Sequence, residues 1–302
     1  MKVRLAKKIG FCFGVKRAVA MAETELKKSC RIYSLGSIIH NKQVVEDLAR
    51  RGLRVIDHPR RIREGVLVIS SHGISPKVAR EIKKRGLRIV DTTCPFVLKA
   101  QNIARRLNRE GYKVIIVGDA NHPEVRALVD FAPGSVVVKD KREAKRLKFK
   151  ETDRVSILSQ TTQSMGNFLE TVEAVSGRKL KAFKVVNTIC RDAGDRQDAA
   201  RRLARSIDVM LVVGGRNSAN TRRLFEVSKK ICKDSHHIET ETDIKPGWFK
   251  PGKIMGITSG ASTPDCIIEK VVRAVEVNNE KNKTERKVVK VKWRTKSKAS
   301  RM

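Results

Sequence analysis

The sequence is short of aromatic residues, acidic residues and long apolar runs, and each shortage narrows what the chain can be. Phe, Trp and Tyr make up only 4% of the 302 residues, so aliphatic side chains must fill the core. A base-stacking nucleic-acid platform has little to be built from. No apolar run approaches the length of a membrane span. The longest, such as Val114–Val117 and Val209–Val213, have the length and β-branching of buried strands. No apolar segment follows the charged N-terminal residues, as a secretory signal requires. The expectation is a cytoplasmic protein that does not engage a membrane. With 40% hydrophobic residues it has room for about two or three α/β units around a sizeable core.

Acidic residues number 32 against 66 Lys and Arg, a formal net charge of +34. That balance attracts polyanions: nucleic acid, phosphorylated ligands, acidic proteins. The stretch from Lys281 to Met302 supplies +9 of it, from ten Lys/Arg and one Glu. The other +25 is spread over the body, whereas a dedicated nucleic-acid arm would concentrate it. Residues 280–302 are read as a basic, disordered tail, with Val288, Val289 and Val291 its only hint of a strand.

Cys-x-x-Cys pairs are also missing, which excludes zinc ribbons and ferredoxin-type runs. The six cysteines lie far apart, so a metal site must be assembled from distant loops. Cys12, Cys94 and Cys190 stand in turn-like contexts at the start of helical patterns, where a helix N-terminus favours thiolate. Three ordinary buried cysteines are the alternative reading. Cys30, Cys232 and Cys266 lack this setting and read as structural.

What is present is an alternation of short β-branched strands and amphipathic helices. Strands are predicted over Val66–Ser70, Arg88–Asp91, Val114–Val117, Val155–Ser159, Val209–Val213 and Lys253–Ile257. Helical stripes run through Val15, Ala18, Val19, Ala22 and Leu26, through Val97, Ala100, Ala104 and Leu107, and through Leu224, Val227 and Ile231. Such alternation predicts parallel sheets with right-handed crossovers. The cysteine spacing predicts three units, each donating one cysteine to a shared centre, although the units are too unlike to be called a repeat.

His40, His72 and His122 each follow a predicted strand and precede a helix, the ligand-binding end of an open α/β sheet. Glu124 follows Pro123 in a first helical turn, where a carboxylate serves either the helix dipole or proton transfer. Three small-residue loops follow strands: Ser159–Ser164, Gly214–Asn220 and Thr258–Pro264. None matches a Walker or dinucleotide fingerprint. Their hydroxyls, amides and backbone N–H groups at helix starts, in basic surroundings, suit a diphosphate.

Gly10-Phe11-Cys12-Phe13-Gly14-Val15, Ile39-His40-Asn41, Ser71-His72-Gly73-Ile74-Ser75, Thr93-Cys94-Pro95, His122-Pro123-Glu124-Val125, Gln160-Thr161-Thr162, Asn217-Ser218-Ala219-Asn220 and Gly260-Ala261-Ser262-Thr263-Pro264-Asp265 occur in this order. Together, from about Met1 to about Val277, they resemble the 4-hydroxy-3-methylbut-2-enyl diphosphate reductase family, the last step of the methylerythritol phosphate route to isoprenoids.

The resemblance implies a trefoil of three small parallel-sheet α/β domains around a central 4Fe-4S cluster. The domains expected are 13–94, 95–189, and 1–12 with 190–279. Cys12, Cys94 and Cys190 would be the ligands, leaving one iron open for the substrate hydroxyl. Ferredoxin or flavodoxin would deliver electrons singly. Loss of the hydroxyl as water would give isopentenyl or dimethylallyl diphosphate. Glu124 would supply or relay protons, with His122 and Thr161 beside it. His40, His72, His122, Thr161, Ser218, Asn220 and Ser262 would hold the substrate.

Two positions depart from the family pattern: Ala219 replaces a usual serine and Ala193 a usual threonine, thinning the polar shell of the site. The basic tail is a third departure. Two other classes compete with the reductase. One is an added RNA- or polyanion-binding role drawn from the charge and tail; the other is a zinc hydrolase using three cysteines and a histidine.

Overall fold

The structure, a computed structural model, describes residues 1–280. The basic tail, apart from Glu280, lies outside the described residues. The chain opens with β1 (Lys2–Leu5) and continues through β2 (Ile32–Leu35), β3 (Leu53–Ile56), β4 (Val66–Ile69), β5 (Arg88–Asp91), β6 (Lys113–Val117), β7 (Val136–Val138), β8 (Arg154–Ser159), β9 (Ala182–Val185), β10 (Val209–Val213), β11 (Ser235–Ile238) and β12 (Ile254–Ser259). Among the described residues, α-helices alternate with them: α1 (Phe13–Leu26), α2 (Lys42–Arg50), α3 (Pro76–Lys84), α4 (Pro95–Arg109), α5 (Pro123–Phe131), α6 (Lys141–Lys145), α7 (Met165–Ser176), α8 (Arg191–Ala204) and α9 (Ala219–Ile231). A last helix covers 265–280.

The strands form three separate four-stranded sheets, ordered β3-β2-β4-β5, β7-β6-β8-β9 and β11-β10-β12-β1. Every pairing is parallel. Parallel strands need helical crossovers, which cover the sheet faces and demand continuous apolar runs in the inner strands. The inner strands comply: all of Val66-Leu67-Val68-Ile69 in β4 and all of Val209–Val213 in β10 are buried.

The three sheets share one plan. The first strand lies inside, the second outside it, the third on its other side and the fourth at the far edge. In the third sheet the N-terminal strand β1 takes the fourth place, so the plan closes on itself through the chain start.

After each fourth strand the chain leaves its sheet through a cysteine-capped helix that packs on the next one. Val15, Ala18 and Ala22 of α1 join Ile32, Leu48, Leu53 and Val68. Ala100, Ala104 and Leu107 of α4 join Val114, Ile116 and Leu158. Ala199, Ala200 and Leu203 of α8 join Met210, Val212 and Leu224, returning the chain to the sheet that holds β1. This cyclic hand-over makes the starts of α1, α4 and α8 converge.

Candidate active site

Cys12, Cys94 and Cys190 are the N-cap residues of α1, α4 and α8. Their backbones are fixed the same way. The Cys12 N–H donates to the Ala261 carbonyl at 3.0 Å, that of Cys94 to Ser71 at 3.0 Å, and that of Cys190 to Thr161 at 2.8 Å. Each acceptor lies two residues past the third strand of its sheet, β12, β4 or β8. The structure therefore contains the threefold repeat that the side chains conceal.

At the convergence, Gly14 leaves the room the sulfurs occupy. A Cβ placed there would lie 2.6 Å from Cys94 Sγ and 3.9 Å from Cys12 Sγ. The three thiols face one cavity with about 720 Å³ of empty space, its mouth included. All eleven residues singled out in the sequence line this cavity: the three cysteines, His40, His72, His122, Glu124, Thr161, Ser218, Asn220 and Ser262. Ala219 and Ala193 line it too, so both departures from the family pattern fall at the site. Gly14, Phe96, Thr162 and Asp192 complete parts of the wall that sequence reasoning did not assign.

The expectation of pre-formed thiolates is corrected here. Burial pushes the Cys12 and Cys94 thiols up and that of Cys190 to about 11, outweighing the first-turn N–H groups that pull the other way. Without metal the thiols hold their protons at neutral pH, and a bound cation would have to displace them. Cys30 and Cys266 are exposed and Cys232 is buried at the end of α9, all apart from the cavity.

The His40 and His72 rings lie tilted at 33° with centroids 4.2 Å apart, and His122 meets them edge-on at 5.2 and 5.4 Å. Their ring nitrogens approach within 4.8 Å of one another. Burial lowers the pKa of all three, that of His122 to about 3, so the rings are neutral near pH 7. His122 caps α5: its Nδ1 accepts from the Glu124 N–H at 3.3 Å, leaving the Nε2 proton free to donate. His40 Nε2 and both side-chain polar atoms of Asn220 are buried without a hydrogen-bond partner among the described residues.

Ser218 caps α9 by accepting from the Thr221 N–H at 3.3 Å, which keeps its own proton available. Ser262 instead donates to the His40 carbonyl at 3.0 Å and must rotate to serve a ligand. These donors match an anion with several oxygens.

Glu124 is 1% exposed. Its Oε1 accepts from the Thr161 N–H at 2.6 Å and its Oε2 from the Thr161 hydroxyl at 2.7 Å. Burial raises its pKa to about 7 against the opposing pull of those two bonds. A carboxyl at that value donates and accepts protons with equal ease near neutrality, and Thr161 extends its reach by one hydroxyl.

The family described as LytB protein matches residues 3–276. The 4-hydroxy-3-methylbut-2-enyl diphosphate reductase of Geotalea daltonii is 43% identical over 287 residues, 94% of this chain and 100% of that protein. The reductase of Geobacter metallireducens is 44% identical over 276 residues, 91% of this chain and 97% of that protein. A solved E-1-hydroxy-2-methyl-but-2-enyl-4-diphosphate reductase from Plasmodium falciparum superposes with a TM-score of 0.86 at 29% identity, covering 90% of this chain and 87% of that one. A second solved structure, of the terminal reductase of the non-mevalonate pathway, gives 0.64 at 40% identity, covering 91% and 99%. By both its sequence and its three-sheet architecture, the chain belongs to the LytB protein family.

Proposed function

We propose that this chain reductively removes the hydroxyl of 4-hydroxy-3-methylbut-2-enyl diphosphate at a 4Fe-4S cluster held by Cys12, Cys94 and Cys190, yielding isopentenyl and dimethylallyl diphosphate. The observation that carries this reading is the meeting, in one cavity, of three cysteines with a buried Glu124–Thr161 pair and a cluster of neutral histidines. The residues fit the group: Cys12 and Cys94 border the space Gly14 leaves open, Cys190 lines the same cavity, and three thiolates would leave one iron of four without a protein ligand. Bound there, the cluster supplies single electrons and a Lewis-acidic position for the substrate oxygen.

The chain's own residues do the rest. His40, His72, His122, Ser218 and Asn220 offer donors to the diphosphate, satisfying the unpartnered His40 Nε2 and Asn220 amide. Ser262 joins them once its hydroxyl leaves the His40 carbonyl. Glu124 delivers protons to the cavity, directly or through Thr161. Domains of 13–94, 95–189, and 1–12 with 190–279 follow from the same reading, each holding one sheet's strands. The proposed setting is the cytoplasm, with ferredoxin or flavodoxin as electron donor. No helix among the described residues is long and apolar enough to cross a membrane. The polyanion-binding alternative draws on the net charge of +34 and on the tail, which apart from Glu280 lies outside the described residues, and the relatives' names give it no support.

The test is anaerobic turnover of the hydroxylated allylic diphosphate with a reduced viologen as electron source. Both isomeric products are expected; no consumption of substrate by iron-loaded protein overturns the assignment. Gly14→Ala probes the metal cradle separately. Alanine favours a helix by about 1 kcal/mol over glycine, yet its Cβ would sit 2.6 Å from Cys94 Sγ. The variant is expected to fold but to bind clearly less iron on reconstitution. Full loading would place the sulfurs elsewhere.

A further inference from the structure

Arg196, two turns into α8, is 1% exposed and among the largest side chains buried so completely. Further along the helix Ala199, Ala200 and Leu203 form an aliphatic face, and the adjacent buried Gln197 is satisfied by the Gln163 carbonyl at 3.2 Å. Its Nε donates to Asp192 Oδ2 at 2.6 Å, while its Nη1 is buried with no partner among the described residues. A buried guanidinium with an unused N–H is costly in free energy, and an apolar side chain of similar volume is often as stable.

The setting of the pair gives the cation a use. Asp192 lies two residues after Cys190 and lines the cavity. Its other oxygen is held by Lys8 at 3.0 Å, and Lys8 also reaches Asp195 at 3.1 Å. Arg196 stands six residues after Cys190 on the helix whose N-cap is Cys190, and its carboxylate partner Asp192 lines the cavity that the thiols face. The group has two cations and two carboxylates. Removing either charge of the Arg196–Asp192 pair therefore leaves a net charge of known sign in the wall of the cavity.

We propose that Arg196 sets the reduction potential of the metal centre: its buried charge, aimed by Asp192, favours the reduced state. This rests on the cluster proposed above. Reduction adds negative charge to the centre, so a fixed cation in a low-dielectric wall stabilises the reduced form more than the oxidised one. Arg196 touches no substrate in this account; it is a positioning residue acting through the sulfurs.

The experiment is a redox titration, followed by visible and electron-paramagnetic-resonance spectra, of iron-loaded parent, Arg196→Gln, Arg196→Lys and Asp192→Asn proteins. Iron and sulfide are assayed on the same samples. A parent that takes up no iron refutes the cluster reading itself. With the parent loaded, the expected results are a more negative midpoint for Arg196→Gln, one near the parent for Arg196→Lys, and a more positive one for Asp192→Asn. Unchanged midpoints in Arg196→Gln and Asp192→Asn, or shifts of the same sign in both, overturn the proposal. If Arg196→Gln does not fold, Asp192→Asn decides it: an upward shift supports the role, and no shift or a downward one refutes it.

Discussion

Cys190→Ala is expected to lose nearly all its iron on anaerobic reconstitution, and with it nearly all turnover. Cys190 occupies the N-cap position of α8, and its thiol faces the same cavity as Cys12 and Cys94. Removing it leaves a second iron without a protein ligand, and a cluster on two thiolates is labile. Loss of the cap is a poor alternative explanation, because the Cys190 side chain makes no capping hydrogen bond and the helix has little to lose. Cys30→Ala and Cys266→Ala are the controls: both cysteines are exposed and apart from the cavity, and both variants should load and turn over like the parent. The buried thiols add a pH dependence. Loading releases their protons, so apparent iron affinity should rise with pH, most steeply on account of Cys190, whose pKa is pushed to about 11. A Cys190→Ala protein with full iron content would remove this residue from the ligand set.

Glu124→Gln is expected to keep its iron and lose turnover by a factor of about 10² to 10⁴, the usual worth of a positioned general acid. The amide can still accept from Thr161, so the local structure should survive, but it carries no transferable proton. Near-parent turnover would take Glu124 off the proton path. Its pKa of about 7 also sets two pH effects. The donating form disappears above that value, so kcat/KM for the diphosphate should fall as pH rises through 7 in the parent, and the variant should lack this limb. The folded carboxyl holds its proton more tightly than an unfolded one of about 4.5. The stabilisation this gives is therefore complete below 4.5 and is lost as pH rises towards 7. Between those limits the parent should lose about 3 kcal/mol of unfolding free energy relative to Glu124→Gln. Equal pH profiles of stability for the two proteins would contradict the buried, raised carboxyl.

The inner strands and the cysteine-capped helices were legible in the sequence because parallel sheets bury both faces of their inner strands. Val66–Ile69, Lys113–Val117, Arg154–Ser159, Val209–Val213 and Ile254–Ser259 are inner strands, and all five were found to within a residue or two. The strands missed are mainly edges: β1, β3, β7, β9 and β11, where one side is half exposed and the apolar signal is broken. In β1 only Val3 of Lys2-Val3-Arg4-Leu5 is even partly shielded. The inner β2 was missed as well; its four residues Ile-Tyr-Ser-Leu alternate too briefly to register.

The site was more legible than the fold around it, since its residues are functional types in turn-like strings. What the sequence hid was contact at long range. Gly14 reads as a turn residue beside Cys12, and its role, making room for Cys94 Sγ, depends on a segment some eighty residues away. Asp192 meets Arg196 one helical turn on, a local contact, but its ion pair with Lys8, near the other end of the chain, is visible only in the fold. The repeat is invisible for the same reason. The Ser71, Thr161 and Ala261 positions are equivalent through their backbone carbonyls, which leave no trace in side-chain identity.

The most direct test of the account is the iron, sulfide and zinc content of protein purified without oxygen, with a visible spectrum of the same sample. The account predicts about four iron and four sulfide per chain with broad visible absorption, as befits a thiolate-bound four-iron cluster. Absence of iron even after anaerobic reconstitution, or one zinc per chain in its place, would contradict it.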